Sequence, residues 1–353
     1  MFEPKYSISP RLLSNIKRIA SIVAELNNRR FQKVVLVEME REAREISAYS
    51  STSIEGNPLP LTEVRKILKN APQNARNSEI EVLNYNNALV KLNKLLDDGL
   101  LASTGKPGKI KFNIDLILNI HKGVTKNLVS VGRCGCFREE PVVVNNPKNR
   151  KVVYLPPDHK DVLLLMTDLV NFVKINSQKA DPLILAGIFH RQFVIIHPFI
   201  DGNGRTARLA TKVLLASMGL NTFNLFSFEN YYNKNVTGYF ESVGIFGNYY
   251  DLKDNIDFTH WLEYFTDGII DELLRVQKNL QNVSINPGTG LESHHRKIIN
   301  YIEENGYIND SKYSKLVKRA KSTRNVDFNK LLNLGIIERF GKGKNTYYKL
   351  RPL

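Results

Sequence analysis

Cysteine is almost missing from these 353 residues; the two present, Cys134 and Cys136, are separated only by Gly135. A pair that close makes a poor structural disulfide, and without a second pair a thiolate zinc site has too few ligands. Long apolar runs are missing too: none approaches the roughly 20 residues needed to cross a bilayer, so no membrane partner is expected. The opening Met-Phe-Glu-Pro-Lys-Tyr-Ser lacks the basic-then-apolar layout of a secretory signal, and the expected location is the cytoplasm. Acidic residues are in short supply, 35 Asp and Glu against 50 Lys and Arg, for a formal charge of +15. More than half of that excess lies in Leu291 to Leu353, which holds fourteen Lys and Arg against six Asp and Glu. A basic terminal segment attracts phosphate backbones or acidic proteins; its plainer role is solubility.

What the chain does carry is concentrated in one stretch, His-Pro-Phe-Ile-Asp-Gly-Asn-Gly-Arg-Thr-Ala-Arg at 197–208. The apolar run before it opens with Asp181 as a candidate N-cap and Pro182 at the first helical position, which predicts a buried central helix. Pro198 disfavours the α region for His197 and should end that helix at the imidazole. Gly202 and Gly204 permit a tight loop, and a second helix is expected from about Gly204 to Met218, closed by Gly219. A glycine-rich loop feeding a helix N-terminus is an anion cradle. Arg205 and Arg208, three apart, share a helix face and suit a polyphosphate. Asp201 offers Mg²⁺ a hard oxygen, and His197 is the candidate general base. Together these parts describe transfer of a phosphorus-centred group from a nucleotide to a hydroxyl. Singly each has a blander explanation, since a helix-end histidine is more often structural and paired arginines are usually a solvated face; no packing need explains the ordered set.

The stretch resembles the Fic-domain motif, His-x-Phe-x-Asp/Glu-Gly-Asn-Gly-Arg-x-x-Arg, at every specified position. The resemblance implies a mainly α fold, a Fic-type helical bundle with a β-hairpin flap. It implies AMPylation, in which ATP gives AMP to a Ser, Thr or Tyr hydroxyl of a target protein and pyrophosphate leaves. Carried onto this chain, it makes His197 the base that deprotonates the hydroxyl and Asp201 the Mg²⁺ ligand. The nucleotide-binding run becomes Gly202, Asn203, Gly204, Arg205, Thr206, Ala207 and Arg208, with Arg205 and Arg208 on the β and γ phosphates. Many family members carry Glu three residues before the motif histidine; Val194 stands there in this chain, so any polar contact made at that position is expected to be lost.

An amphipathic helix is expected from residue 8 to about 30, on the spacing of Ile8, Leu12, Leu13, Ile16, Ile19 and Ile22. A second runs from about Gln32 through Ser50 and stops at Gly56-Asn57-Pro58. At its end Ser51 and Glu55, four apart, match the Fic inhibitory motif Ser/Thr-x-x-x-Glu-Gly/Asn. The resemblance pairs Glu55 with Arg208: an arginine already gripping a carboxylate cannot orient a γ-phosphate. Seen alone, Ser51 and Glu55 would only cap a surface helix. Residues 61 to 125 read as several short helices, His121 among them in a packing or capping role. Gly135-Cys136-Phe137-Arg138 precedes a predicted hairpin, with strands at Pro141 to Val144 and Val152 to Leu155 around a turn at Asn145 to Arg150. In the family this hairpin is the flap that pairs with the target backbone, which leaves target identity unreadable here. Further helices are expected from Asp158 to about Asn176 and from Phe258 to Leu280. Tyr239-Phe240 falls where relatives often have two tyrosines near the adenine pocket, so Tyr239 is carried as a nucleotide contact, although core packing is the commoner fate of such aromatics.

Asn282 to Gly290 has linker composition. Beyond it, helices at His295 to Glu304, Ser311 to Arg319 and Ser322 to Leu334, then a glycine-turned hairpin, resemble a winged helix-turn-helix. Arg324, Asn329 and Lys330 would lie on its recognition helix and Lys342 and Lys344 on its wing. The same order also serves protein contacts or dimerisation, so DNA and a second copy of the chain are both open as partners. The expected division is 1–75 for a helical region with the inhibitory motif, 76–281 for the Fic domain and 291–353 for the winged helix. The expected activity is protein adenylyltransferase, using ATP and Mg²⁺ and restrained by Glu55. Rival readings are a Fic enzyme that removes AMP or moves another nucleotide or phosphocholine, and a nucleotide-sensing, DNA-binding transcription regulator.

Overall fold

This computed structural model describes residues 2–28, 31, 33–101, 111–145, 151–217, 224–285 and 291–351. Its helices run α1 (Pro10–Asn28), α2 (Lys33–Ile54), α3 (Leu61–Asn70), α4 (Asn77–Leu101), α5 (Ile114–Thr125), α6 (His159–Asn176), α7 (Pro182–Ile196), α8 (Asn203–Ser217), α9 (Phe228–Lys234), α10 (Val236–Val243), α11 (Tyr249–Leu252) and α12 (Thr259–Ile285). They are followed by α13 (Ser293–Asn305), α14 (Asp310–Leu316) and α15 (Lys321–Asn333). None of the described helices is long and apolar enough to cross a membrane. The chain divides into two compact units, Met1–Asn28 with Ala43–Val276, and Arg29–Glu42 with Gln277–Leu353.

The larger unit is organised around α7. Thirteen of its fifteen residues are buried, so it is surrounded by protein on all sides. Asp181 caps it by accepting from the Leu183 amide, Pro182 follows, and the helix ends at His197, whose φ of 50° and ψ of 59° are left-handed. Large side chains such as Phe189 and Phe193 are fully buried, each stabilising by about 1.5–3 kcal/mol. Gly187 lets α12 come close: a Cβ there would lie 2.6 Å from Leu262 Cδ2, and Trp261 Nε1 donates to the Gly187 carbonyl at 2.7 Å. α8 lies alongside α7, with α5 and α4 packed on it. Residues 61 to 125, expected as short helices, include the 25-residue α4, which buries Val82, Tyr85, Leu89, Leu92 and Leu96 at helical spacing. Strand β1 (Val144–Asn145) pairs antiparallel with β2 (Val152–Leu155), and β2 pairs in parallel with β3 (Gly247–Asn248). The Tyr154 hydroxyl on β2 donates to the Ile195 carbonyl at 2.9 Å, tying the strands to the end of α7. Residues 146 to 150 of the expected turn, Met218 and Gly219 beyond α8, and 286 to 290 of the linker lie outside the described residues.

In the smaller unit α13, α14 and α15 are followed by β4 (Ile337–Phe340) and β5 (Tyr347–Leu350), antiparallel with Ile337 opposite Leu350 and Phe340 opposite Tyr347. Ile298, Ile302, Tyr313, Phe328, Leu331 and Ile337 form its core. Gly341 turns the hairpin at a φ of 73°, where a Cβ would meet the Asn345 carbonyl at 2.2 Å. Buried Asp327 accepts from Tyr313 Oη at 2.8 Å and Arg319 Nη2 at 3.1 Å, with His294 Nε2 at 3.2 Å and His295 Nε2 at 3.7 Å. His295 Nδ1 accepts from the Glu292 amide, which leaves Nε2 as the protonated nitrogen on the side of Asp327.

Candidate active site

The loop between α7 and α8 is shaped by its own residues. Asn203 Oδ1 accepts from the Phe199 amide at 2.9 Å and its Nδ2 donates to the Phe199 carbonyl at 2.8 Å, which closes the turn. Gly202 has a φ of 79°, and a Cβ on it would strike Thr125 Cγ2 at 2.7 Å. Below the loop the His121 ring stacks on Phe199 at 3.7 Å, accepts from the Gly135 amide through Nδ1, and places Nε2 3.0 Å from the Asp201 carbonyl. Burial pulls the His121 pKa down to about 4, so the ring is a neutral brace. Its expected packing role is thus extended by two polar contacts, one to the loop and one to the turn at Gly135.

His197 sits at the left-handed end of α7, its carbonyl accepting from Arg138 Nε at 2.8 Å. Its Nδ1 lies 3.3 Å from the Val194 carbonyl. A carbonyl only accepts, so Nδ1 carries the proton of that contact and Nε2 keeps a free lone pair. The expected loss of polar contact at position 194 is thus corrected: with an apolar side chain, the position still orients the imidazole through its backbone carbonyl, which any residue carries. Burial lowers the pKa of His197, with Glu55 and Asp201 pulling the other way. A neutral imidazole with Nε2 available is the form a general base requires.

Arg208, on α8, is fully buried and engaged by the end of α2: Nε donates to Ser51 Oγ at 2.8 Å, and Nη2 to the Ser51 carbonyl at 2.8 Å and to Glu55 Oε1 at 2.6 Å. Burial works against its charge, but Glu55, Tyr239 and Tyr85 raise its pKa above the ordinary value. Glu55 also occupies the helix terminus, since a Cβ on Gly204 would fall 2.1 Å from Glu55 Oε1 and 2.9 Å from Arg208 Nη1. A carboxylate thus lies against the first turn of α8, where backbone N–H groups and the helix dipole favour negative charge. Arg205 Nη2 donates to both oxygens of Asp201, at 2.9 and 2.8 Å, and Nη1 lies 2.8 Å from Glu81 Oε1. Burial raises the pKa of Glu81, with Arg205 opposing. Among the described residues Nε and Nη1 of Arg205 and Nη1 of Arg208 are buried without a hydrogen-bond partner. Buried donors left unmade are costly, about 1–3 kcal/mol each, and mark a place that wants an anion.

His197, Asp201, Gly204, Arg205, Arg208, Ser51 and Glu55 are therefore gathered at one place. Thr206 and Ala207 are fully buried, so they offer α8 packing to the site and no exposed side chain. Tyr239 lies in the aromatic core, stacked on Tyr232 at 4.5 Å, its hydroxyl 3.1 Å from His190 Nε2; burial moves its pKa up to about 12, with Arg208 opposing. Two neighbours had no motif to reveal them, Glu81 on α4 and Asn57, whose Nδ2 donates to Glu81 Oε2 at 2.7 Å.

Residues 111–215 match the Fic/DOC family. Protein adenylyltransferase fic-1 of Caenorhabditis briggsae is 30% identical over 217 residues, covering 60% of this chain and 39% of its own length. Protein adenylyltransferase Fic of Drosophila yakuba is 29% identical over 235 residues, covering 60% of this chain and 44% of its own. The chain thus spans less than half the length of these curated relatives. The crystal structure of a Fic family protein from Desulfovibrio desulfuricans G20 superposes with a TM-score of 0.65 at 19% identity, covering 99% of this chain and 98% of that one, which shows a shared fold.

Proposed function

We propose, on the premise that the chain carries a Fic/DOC domain at residues 111–215, that it is a protein adenylyltransferase moving AMP from ATP to a hydroxyl of a target protein. One observation carries the reading: the cradle at the start of α8 already holds a carboxylate, Glu55, and Nε of Arg205 and Nη1 of Arg208 are buried without a hydrogen-bond partner among the described residues. That chemistry fits a polyphosphate better than any apolar ligand. The amides at 202–204 and the two arginines orient the phosphates so that the α-phosphorus faces His197. His197 Nε2 takes the hydroxyl proton as the new oxygen–phosphorus bond forms, and the bond to the β-phosphate oxygen breaks with its electron pair leaving on pyrophosphate. Asp201, with its side chain 51% exposed, is the carboxylate that would hold Mg²⁺. Mg²⁺ there would neutralise charge on the phosphates.

Glu55 acts as the restraint, because Arg208 and the cradle serve either its carboxylate or the terminal phosphates. The β1–β2 pair is the flap, its open edge offering main-chain groups to a target segment. The test is mass spectrometry of the Glu55→Gly protein after incubation with ATP and Mg²⁺: AMP on itself or on lysate proteins is expected, greater than for the parent and lost in Glu55→Gly/His197→Ala. No added AMP in Glu55→Gly would refute the reading.

The smaller unit is read as a winged helix-turn-helix, on the order α13–α14–α15–β4–β5. Arg324 is held by both oxygens of Asp310 at 2.8 Å and Arg319 by Asp327, whereas Lys321 on α15 and Lys342 at the hairpin turn are exposed and are among the cations it offers to a nucleic acid; the Lys344 side chain lies outside the described residues. Labelled duplex titrated against the parent and Lys321→Ala/Lys342→Ala tests this; equal affinity for both variants removes DNA as the partner of this surface.

A further inference from the structure

Glu81 touches both halves of the site. Its Oε1 lies 2.8 Å from Arg205 Nη1, and its Oε2 accepts from Asn57 Nδ2 at 2.7 Å. Asn57 stands two residues beyond Glu55 and is the fixed point of that turn: Nδ2 also donates to the Ser78 carbonyl at 2.8 Å, Oδ1 accepts from the Leu59 amide at 3.1 Å, and its own amide donates to the Thr52 carbonyl at 3.1 Å. The two carboxylates on Arg205 differ in setting. The Asp201 side chain is 51% exposed and sits on the loop, whereas that of Glu81 is 16% exposed and sits on a helix. Asp201 is also the residue the adenylyltransferase reading assigns to Mg²⁺. A carboxylate drawn toward a cation weakens its hold on a neighbouring guanidinium, and Glu81 then remains to fix Arg205. The Glu81 contact to Nη1 is close but off hydrogen-bond alignment, so the hydrogens of Nη1 stay available to a phosphate.

We propose that Glu81 is a positioning residue of the nucleotide site: it aligns Arg205 for the phosphates, and through Asn57 it anchors the turn that keeps Glu55 in the cradle. The proposal rests on the adenylyltransferase reading, and its test separates the two. In the Glu55→Gly background, Glu81→Ala is expected to raise both the KM for ATP and the calorimetric Kd of ATP about tenfold, the size of an ordinary coupling within one side-chain network. Glu81→Gln, which keeps an oxygen for Arg205, recovers most of that loss. Should Glu81→Ala melt below the assay temperature, Glu81→Asp, which withdraws the carboxylate by one methylene, takes its place with the same expected rise. In the otherwise unchanged protein, Asn57→Ala is expected to raise AMP incorporation toward the Glu55→Gly level and to add nothing when Glu55 is already glycine. An unchanged KM and Kd in Glu81→Ala, or an Asn57→Ala protein that melts normally yet transfers no more AMP than the parent, overturns the proposal. A Glu55→Gly protein that transfers no AMP overturns the adenylyltransferase reading instead, and the ATP-binding series still decides the role of Glu81.

Discussion

Glu55 Oε1 lies 2.6 Å from Arg208 Nη2, and the same oxygen sits 2.1 Å from where a Cβ on Gly204 would be. The carboxylate therefore occupies both the arginine and the helix terminus, the two groups that the proposed function assigns to the phosphates. Two residues 153 positions apart in the chain thus pair at the N-terminus of α8.

Gly204→Ala follows from that geometry. Its methyl displaces the Glu55 carboxylate and fills the cradle at the same time, so release of Glu55 should not produce activity. The expected result is ATP binding weakened by at least about tenfold in the Glu55→Gly background, consistent with a lost anion contact of about 1.5–3 kcal/mol. Calorimetry checks it; undiminished binding would place the phosphates elsewhere.

The pH dependence of transfer follows from His197. The base must be neutral, so activity falls as pH drops through its pKa, which burial places below the ordinary 6.5. Removing the charge of Glu55, which favours the protonated ring, shifts it further down. The acidic limb of kcat/KM for Glu55→Gly should therefore have its midpoint below pH 6.5, and a midpoint above that value counts against His197 as the base.

Acid stability follows from two other rings. Burial brings His121 to about 4 and His190 to about 3, while the unfolded chain takes up these protons near 6.5. Folded pKa values lie below unfolded ones, so the unfolded state binds more protons and stability falls as pH drops from 6.5 toward 4. For His121 the full loss is about 3 kcal/mol. His121→Phe should flatten part of the fall in melting temperature over that range, measured by calorimetry; an unaltered slope would mean that His121 is not a buried neutral ring.

A regulator and a transferase are separable by one variant. In the transferase reading His197→Ala abolishes AMP incorporation, a drop of at least about 10²-fold for loss of a general base. A nucleotide-sensing regulator would keep duplex binding and transcriptional effect in that variant. Anisotropy and a reporter assay on His197→Ala distinguish them, and full retention of biological effect with no detectable transfer in the parent would favour the regulator.

Local chemistry, all of it readable along the chain, set the frame of this protein. Asp181-Pro182 starts α7, the His197-Pro198 step ends it, and Gly202 turns the loop that leads into α8, because capping, proline sterics and glycine freedom act over a few residues. Ser51 in the last turn of α2 and Glu55 just past its end both reach Arg208; the Glu55 pairing was expected from resemblance to a family and is found at 2.6 Å, while the Ser51 contact at 2.8 Å was not foreseen. Tertiary structure alone decided the rest. Nothing in the sequence around Glu81 connects it to Arg205, His121 to the Asp201 carbonyl, or the Val194 carbonyl to the imidazole. Those contacts depend on how helices far apart in the chain are packed, and a single carboxylate or backbone carbonyl carries no spacing pattern that would announce its partner.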